Sequence, residues 1–164
     1  SYGLFNSVLN SLGLPSVRWL DDSSTAMLSI IIMNTWKSIG YYSLIIMSSM
    51  KSIPTEIYEA ARLDNSTGVK TFFKITLPMI SPQLFFLLIT ITTGSFKVFD
   101  SVRIMTNGGP GDSTRVLSMY IYDYAFQRNN TLGYACAAGV VMLLIMVVIT
   151  VIDFAFVEKK VHYQ

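Results

Sequence analysis

Hydrophobic and polar residues in this chain are sorted into long blocks rather than interleaved. From Ile75 to Phe96, and again from Asn129 to Ile152, there is no Asp, Glu, Lys or Arg. Each run is longer than the roughly 20 residues that a helix rising about 1.5 Å per residue needs to cross the hydrocarbon of a bilayer. A third apolar stretch, Ser23 to Met50, is interrupted only by Lys37. The pattern predicts an all-α membrane protein with three transmembrane helices, over residues 25–50, 78–105 and 132–157. The remaining segments are then an outer segment (1–24), a polar loop (51–77), an outer loop (106–131) and a tail (158–164).

The polar loop has helical wording of its own. Pro54 suits a helix's first turn, where its missing N–H is not needed. Glu56 and Glu59 then lie toward the positive end of that helix. Ile53, Ile57, Ala60 and Ala61 recur at three- and four-residue spacing and make a small apolar face with Tyr58 beside it. Asn65 is expected in a left-handed turn, since Asn tolerates that backbone next best after Gly. Ser66 or Thr67 can cap a second short helix ending near Leu77-Pro78. Such a helix–turn–helix cannot bury its apolar face alone, so it needs lipid headgroups or a protein groove.

Composition agrees with a membrane setting: 52% of residues are hydrophobic and 13% charged, against about a quarter charged in soluble domains. A net charge of +2 gives no footprint for nucleic acid. Lys51, Arg62, Lys70, Lys74, Lys159 and Lys160 flank the polar loop or follow the last apolar run. Arg18, Arg103, Arg115 and Arg128 lie on the other side, offset by Asp21, Asp22, Asp112 and Asp123. That balance places the loop and the C-terminus on the cytoplasmic side. Trp19 is positioned as an interfacial anchor. Residues near Leu117 to Ala125 read as a short surface helix. Cys136 is alone in the third apolar run and His162 alone in the tail, so neither a disulfide, a zinc site nor a Cys–His pair can be built.

Polar residues inside the apolar runs are the candidates for a transport path. Lys37 falls near the middle of the first run, where a charge costs several kcal/mol and should face a cavity or a partner. Lys97 and Asp100 are three apart and can pair on one helical face. Trp36, Tyr41 and Ser95 add stacking and hydrogen-bonding groups at similar depth. A pair of Lys37 with Asp100 holding a helical bundle together accounts for these charges equally well. Gly133, Ala135, Ala137, Ala138 and Gly139 form a small-residue face suited to close helix packing.

The run Glu59-Ala60-Ala61-Arg62-Leu63-Asp64-Asn65, followed ten residues later by Ile75-Thr76-Leu77-Pro78, resembles the cytoplasmic coupling loop of ABC-importer permeases. The family usually has Gly where this chain has Asn65. The glycine loop Asn107-Gly108-Gly109-Pro110-Gly111, with Tyr120-Ile121-Tyr122 and Ala125-Phe126 after it, looks like the carbohydrate-uptake branch, the maltose and glycerol-phosphate type. The resemblance covers essentially the whole chain but only the C-terminal half of a permease with about six core helices. It implies an N-terminal half holding the first three.

The resemblance also implies partners: an ABC ATPase dimer, a second permease subunit, an extracytoplasmic solute-binding protein and the lipid of a bacterial-type cell membrane. Glu59, Ala60, Ala61, Asp64, Asn65, Ile75, Leu77 and Pro78 would couple to the ATPase. By gap-free matching, Tyr41 and Ser95 fall on sugar-pocket positions, while Ile91 and Val98 are apolar where a maltose permease has polar groups. No Gly-x-x-x-x-Gly-Lys-Ser/Thr sequence is present, so ATP and magnesium belong to a partner subunit and this chain binds no cofactor and catalyses nothing. The competing reading is a small membrane scaffold whose amphipathic loop has no ATPase partner.

Overall fold

The computed structural model describes residues 3–128 and 131–157. Lys159, Lys160, His162 and the rest of the expected tail lie outside the described residues. Every regular element within them is helical. In chain order these are α1 (Leu4–Ser11), α2 (Ala26–Lys51), α3 (Thr55–Leu63), α4 (Gly68–Thr71), α5 (Leu77–Met79), α6 (Ser81–Phe96), α7 (Asp100–Met105), α8 (Leu117–Tyr122) and α9 (Leu132–Val157). Wider π turns follow α4 (Phe72–Thr76) and α8 (Asp123–Gln127).

The all-helical class holds, but the expectation of three membrane-spanning helices does not. Among the described residues, one helix is by itself long and apolar enough to cross a membrane, over Leu132–Ala155 with mean hydropathy 2.9. A second is reached only if Gly68–Met79 and Ser81–Phe96, bent by 67° at their junction, count as one span. Two physical reasons explain the difference. α2 is 26 residues long but is diluted by Ser29, Asn34, Thr35, Lys37, Ser38, Ser43, Ser48 and Ser49. α6 has 16 residues, which gives about 24 Å of helix against a hydrocarbon core of about 30 Å.

The chain forms two compact units, Ser1–Trp36 with Val98–Gly139, and Lys37–Lys97 with Val140–Gln164. In the first unit, Ile30, Val102 and Met119 make the core, with Val98, Phe99, Met105 and Val116 packed around it. Its N-terminal arm is held by Asn6. That side chain donates to the Val17 carbonyl at 2.9 Å and accepts from Val17 N–H at 3.1 Å and the Trp19 indole at 3.0 Å. The indole N–H of Trp19 is therefore committed to the chain itself.

The glycine loop of the same unit folds on its own backbone. Thr114, fully buried, donates to the Gly109 carbonyl at 2.7 Å and meets the Thr106 hydroxyl at 2.7 Å. Gly109 N–H reaches Thr106 and Thr114 N–H reaches Gly108, so these amides are not turned toward a phosphate. Beside the loop, buried Asp123 binds Arg115 through a charge-assisted hydrogen bond and lies 3.8 Å from Arg103. Arg115 also reaches Asp112 at 3.1 Å. Burial alone would lower the Arg115 pKa, but the hydrogen bond to Asp123 and the two carboxylates outweigh it and raise it. Arg103 lies over the Tyr122 ring, 5.3 Å from its centre.

Removing the carboxylate leaves two guanidinium groups, each about a third exposed, without their shared buried partner. Asp123→Ala should cost about 2 kcal/mol or more and lower the thermal midpoint of the purified protein. Arg103→Ala, at the longer contact, should lower it less. Differential scanning fluorimetry in detergent checks both.

Candidate functional site

The second unit holds the polar loop, and the local chemistry of each end can be followed. α3 starts after Pro54 and ends on Asp64, with Asn65 at φ 53°. Asn65 N–H bonds the Arg62 carbonyl at 3.1 Å and Ser66 N–H bonds the Ala61 carbonyl at 3.0 Å. These are the paired closing bonds of a helix that stops in a left-handed residue. Thr67 then caps α4, its hydroxyl accepting from Lys70 N–H at 3.5 Å. Thr71 Oγ1 donates to Ser66 Oγ at 3.0 Å across the same turn.

The second arm, Gly68–Met79, is continuous but not regular. Pro78 has no N–H for the carbonyl of Lys74, and its ring crowds that carbonyl. The helix widens just there, with Leu77 N–H reaching back five residues to Phe72. After Ile80 the chain bends by 67° into α6. Pro82, near the start of α6, cannot donate to the Pro78 carbonyl, which accepts instead from the Ser81 hydroxyl at 2.6 Å.

The two faces of α3 are used differently from the sequence expectation. Ile53 and Ala61 are buried, and Ile57 and Tyr58 half-buried, inside the chain. Ala60 is not with them. It lies on the exposed stripe Glu56, Glu59, Ala60 and Leu63, at the three- and four-residue spacing of one helix face. Leu63 is 86% exposed, a large apolar group at the end of an acidic stripe. Asp64 and Asn65 are exposed at the turn, whereas Ile75, Leu77 and Pro78 are half-buried at its return. Apolar Val69, Phe72 and Phe73 are also exposed on the second arm, interleaved with Lys70 and Lys74.

The residues expected on a substrate path are all exposed: Trp36 and Asp100 in the first unit, Lys37, Tyr41, Ser95 and Lys97 in the second. Lys97 and Asp100 do not share a helical face. α6 ends at Phe96, Lys97 has φ −93° and ψ 8°, and α7 starts at Asp100. The ion pairs among the described residues belong to Arg103, Arg115, Asp112 and Asp123 instead. Ser95 returns its hydroxyl to the Ile91 carbonyl at 2.8 Å, and Tyr41 meets Tyr42 edge-on at 5.4 Å.

Lys97 does line a shallow groove of about 280 Å³ with Thr93, Leu143, Met146, Val147, Thr150 and Val151. The α9 side of that groove was not foreseen. Its one polar residue, Thr150, sits in an otherwise continuous apolar run, so periodicity gave no signal. Of the small-residue face only Ala135 is buried, and a Cβ at Gly133 or Gly139 would meet nothing within 4 Å. Among the described residues no three of His, Cys, Asp and Glu cluster to hold a metal.

Residues 4–162 match the family described as the binding-protein-dependent transport system inner membrane component. The chain belongs to that family. Among its relatives, the probable ABC transporter permease protein YurN of Bacillus subtilis is 40% identical over 94% of this chain and 53% of its own length. The trehalose/maltose transport system permease protein MalF of Thermococcus litoralis is 34% identical over 98% of this chain and 52% of its own. A chain in the crystal structure of a bacterial alginate ABC transporter, in complex with an alginate pentasaccharide-bound periplasmic protein, superposes with a TM-score of 0.85 at 27% identity. That superposition covers 99% of this chain and 57% of the alginate transporter chain. The chain thus spans about half the length of the permeases it matches.

For this member of the transport family, the left-handed Asn65 makes a sharp prediction. Asn65→Gly should be neutral or gain a few tenths of a kcal/mol, while Asn65→Val should cost about 1–2 kcal/mol because a β-branched residue disfavours that backbone. Thermal midpoints of the two purified variants check it, and equal midpoints would place the turn elsewhere.

Proposed function

We propose that the chain is the C-terminal half of the transmembrane subunit of an ATP-driven carbohydrate importer, of the maltose and glycerol-phosphate type. The observation that carries this reading is α3: a short helix ending in the left-handed Asn65, with Glu56, Glu59, Ala60 and Leu63 exposed on one face. That face docks into a groove on an ATPase subunit at the cytoplasmic surface. The small Ala60 lets the partner approach, Leu63 fills an apolar socket, and Glu56 and Glu59 meet donors at its rim. Asp64 and Asn65 shape the turn, and Ala61, Ile75, Leu77 and Pro78 hold the docking helix to the rest of the loop.

The likeness to a trehalose/maltose permease and to an alginate transporter chain supports a carbohydrate cargo. It also supports a solute-binding protein and a second permease subunit as partners. The ATPase pair, closing on nucleotide, pushes α3 and rocks the membrane part between outward- and inward-facing states, as alternating access requires. Within the second unit we assign Lys37, Tyr41, Ser95 and Lys97 to the substrate path, with hydroxyl and ring contacts for a sugar from Tyr41 and Ser95.

The test of coupling is Glu59→Lys in the full-length permease within its assembled transporter. A positive charge on the docking face should leave membrane insertion intact and reduce uptake by at least about tenfold, the scale of a buried charge pair disrupted at an interface. Radiolabelled sugar uptake, with ATPase retention by co-purification, is the measurement. Normal uptake with normal retention would falsify the coupling role.

The substrate path has its own test. Tyr41→Ala should raise the substrate concentration for half-maximal uptake about tenfold, as loss of one stacking ring contact does, with abundance and ATPase retention unchanged. An unaltered uptake curve would remove Tyr41 from the path.

A further inference from the structure

Six hydroxyl groups on the long helices follow one local pattern. Thr35 donates to Ile31, Ser49 to Ile45, Thr90 to Phe86, Thr93 to Ile89, Ser95 to Ile91 and Thr150 to Met146, each reaching the carbonyl four residues back. Thr76 does not follow that pattern. The carbonyl four residues before it, Phe72, is the one taken by Leu77 N–H in the π turn. Its hydroxyl instead meets Tyr58 Oη at 3.2 Å, 18 residues away in sequence.

Three properties of this contact set it apart. Among the described residues it is the only side-chain hydrogen bond between α3 and the arm Gly68–Met79. Thr76 is 4% exposed, so its hydroxyl has no water to turn to. Thr76 also closes the π turn and receives the Ile80 N–H at 3.1 Å, at the 67° bend into α6. One end of the bond therefore lies on the back of the helix whose front is exposed, and the other lies at the entry to the first membrane-directed helix after it. π turns occur in helices where an extra residue has been accommodated, frequently at functional sites.

We propose that the Tyr58–Thr76 hydrogen bond is the tie through which displacement of α3 is delivered to α6, and that both are positioning residues for coupling. The inference rests on the reading of α3 as the ATPase-docking helix. A push on the front face of α3 moves Tyr58 with it. The bond carries that movement to the π turn instead of letting the loop slip past it. The burial of Ile53 and Ala61 does not by itself fix the register of the two arms, since apolar burial is non-directional.

The experiment uses the full-length permease in its assembled, reconstituted transporter, with Tyr58→Phe, Thr76→Val, the double variant and Thr76→Ser. Each hydroxyl deletion should lower sugar transported per ATP hydrolysed by about fivefold, the scale of one net hydrogen bond. ATPase retention should stay at the wild-type value, and the thermal midpoint should fall no further than loss of one hydrogen bond allows. A merely structural role would leave the ratio of sugar moved to ATP hydrolysed unchanged. The double variant should be no worse than either single, because both remove the same bond, and Thr76→Ser should restore the ratio. Wild-type ratios in both single variants, additive losses in the double, or losses that track ATPase retention would each overturn the proposal. Glu59→Lys, run alongside, separates the two levels. If it abolishes uptake while Tyr58→Phe does nothing, the tie is wrong and docking stands. If it transports normally, the docking reading has failed.

Discussion

The polar loop depends on one backbone reversal. A helix that stops leaves its last carbonyls without amide partners, and a chain that turns back at once must satisfy them within a few residues. Asn65 at φ 53° does so by turning Asn65 N–H and Ser66 N–H back onto Arg62 and Ala61. Because the reversal is tight, Thr67 can cap the next arm at once. The two arms are then close enough for Tyr58 to reach Thr76. A looser turn would separate the arms and leave α3 as an isolated nine-residue helix, too short to be stable alone in water.

That geometry divides α3 into a back and a front. Its back, through Ile53, Ala61 and half-buried Tyr58, is spent on the chain itself. Its front presents Glu56, Glu59, Ala60 and an almost fully exposed Leu63. Exposure of a single Leu means little on its own. Here it sits beside an alanine and two carboxylates on a helix whose apolar back is already committed, so the front is the side left for another molecule.

Much of this was legible from residue types. Pro54, Asn65 and Thr67 are punctuation with local mechanisms, and they act at the positions where the sequence puts them. Two things were not legible. Periodicity grouped Ala60 with Ala61, but adjacent residues lie about 100° apart on a helix, and only the folded chain shows that Ala61 is the one buried. The absence of formal charge suggested unbroken spans, yet charge is not what breaks them. Pro78 and Pro82 remove amides near Ile80, and the chain leaves the helix again at Lys97 between α6 and α7. Among the described residues, three apolar runs therefore give one self-sufficient spanning helix, or two with the bend included.

The two units also hold their polar groups by interactions of different strength. Around the glycine loop, Asp123 is buried between Arg115 and Arg103, and Thr114 is fully enclosed. Hydrogen bonds between charged partners are roughly twice as strong as neutral ones, and losing the arginines would strand the buried Asp123 carboxylate. Between the arms of the polar loop the side-chain link is a neutral hydroxyl pair, worth about 1 kcal/mol net. Such a link can be broken and remade without unfolding its surroundings. The side-chain link across the loop therefore opens at less cost than the charged network around Asp123.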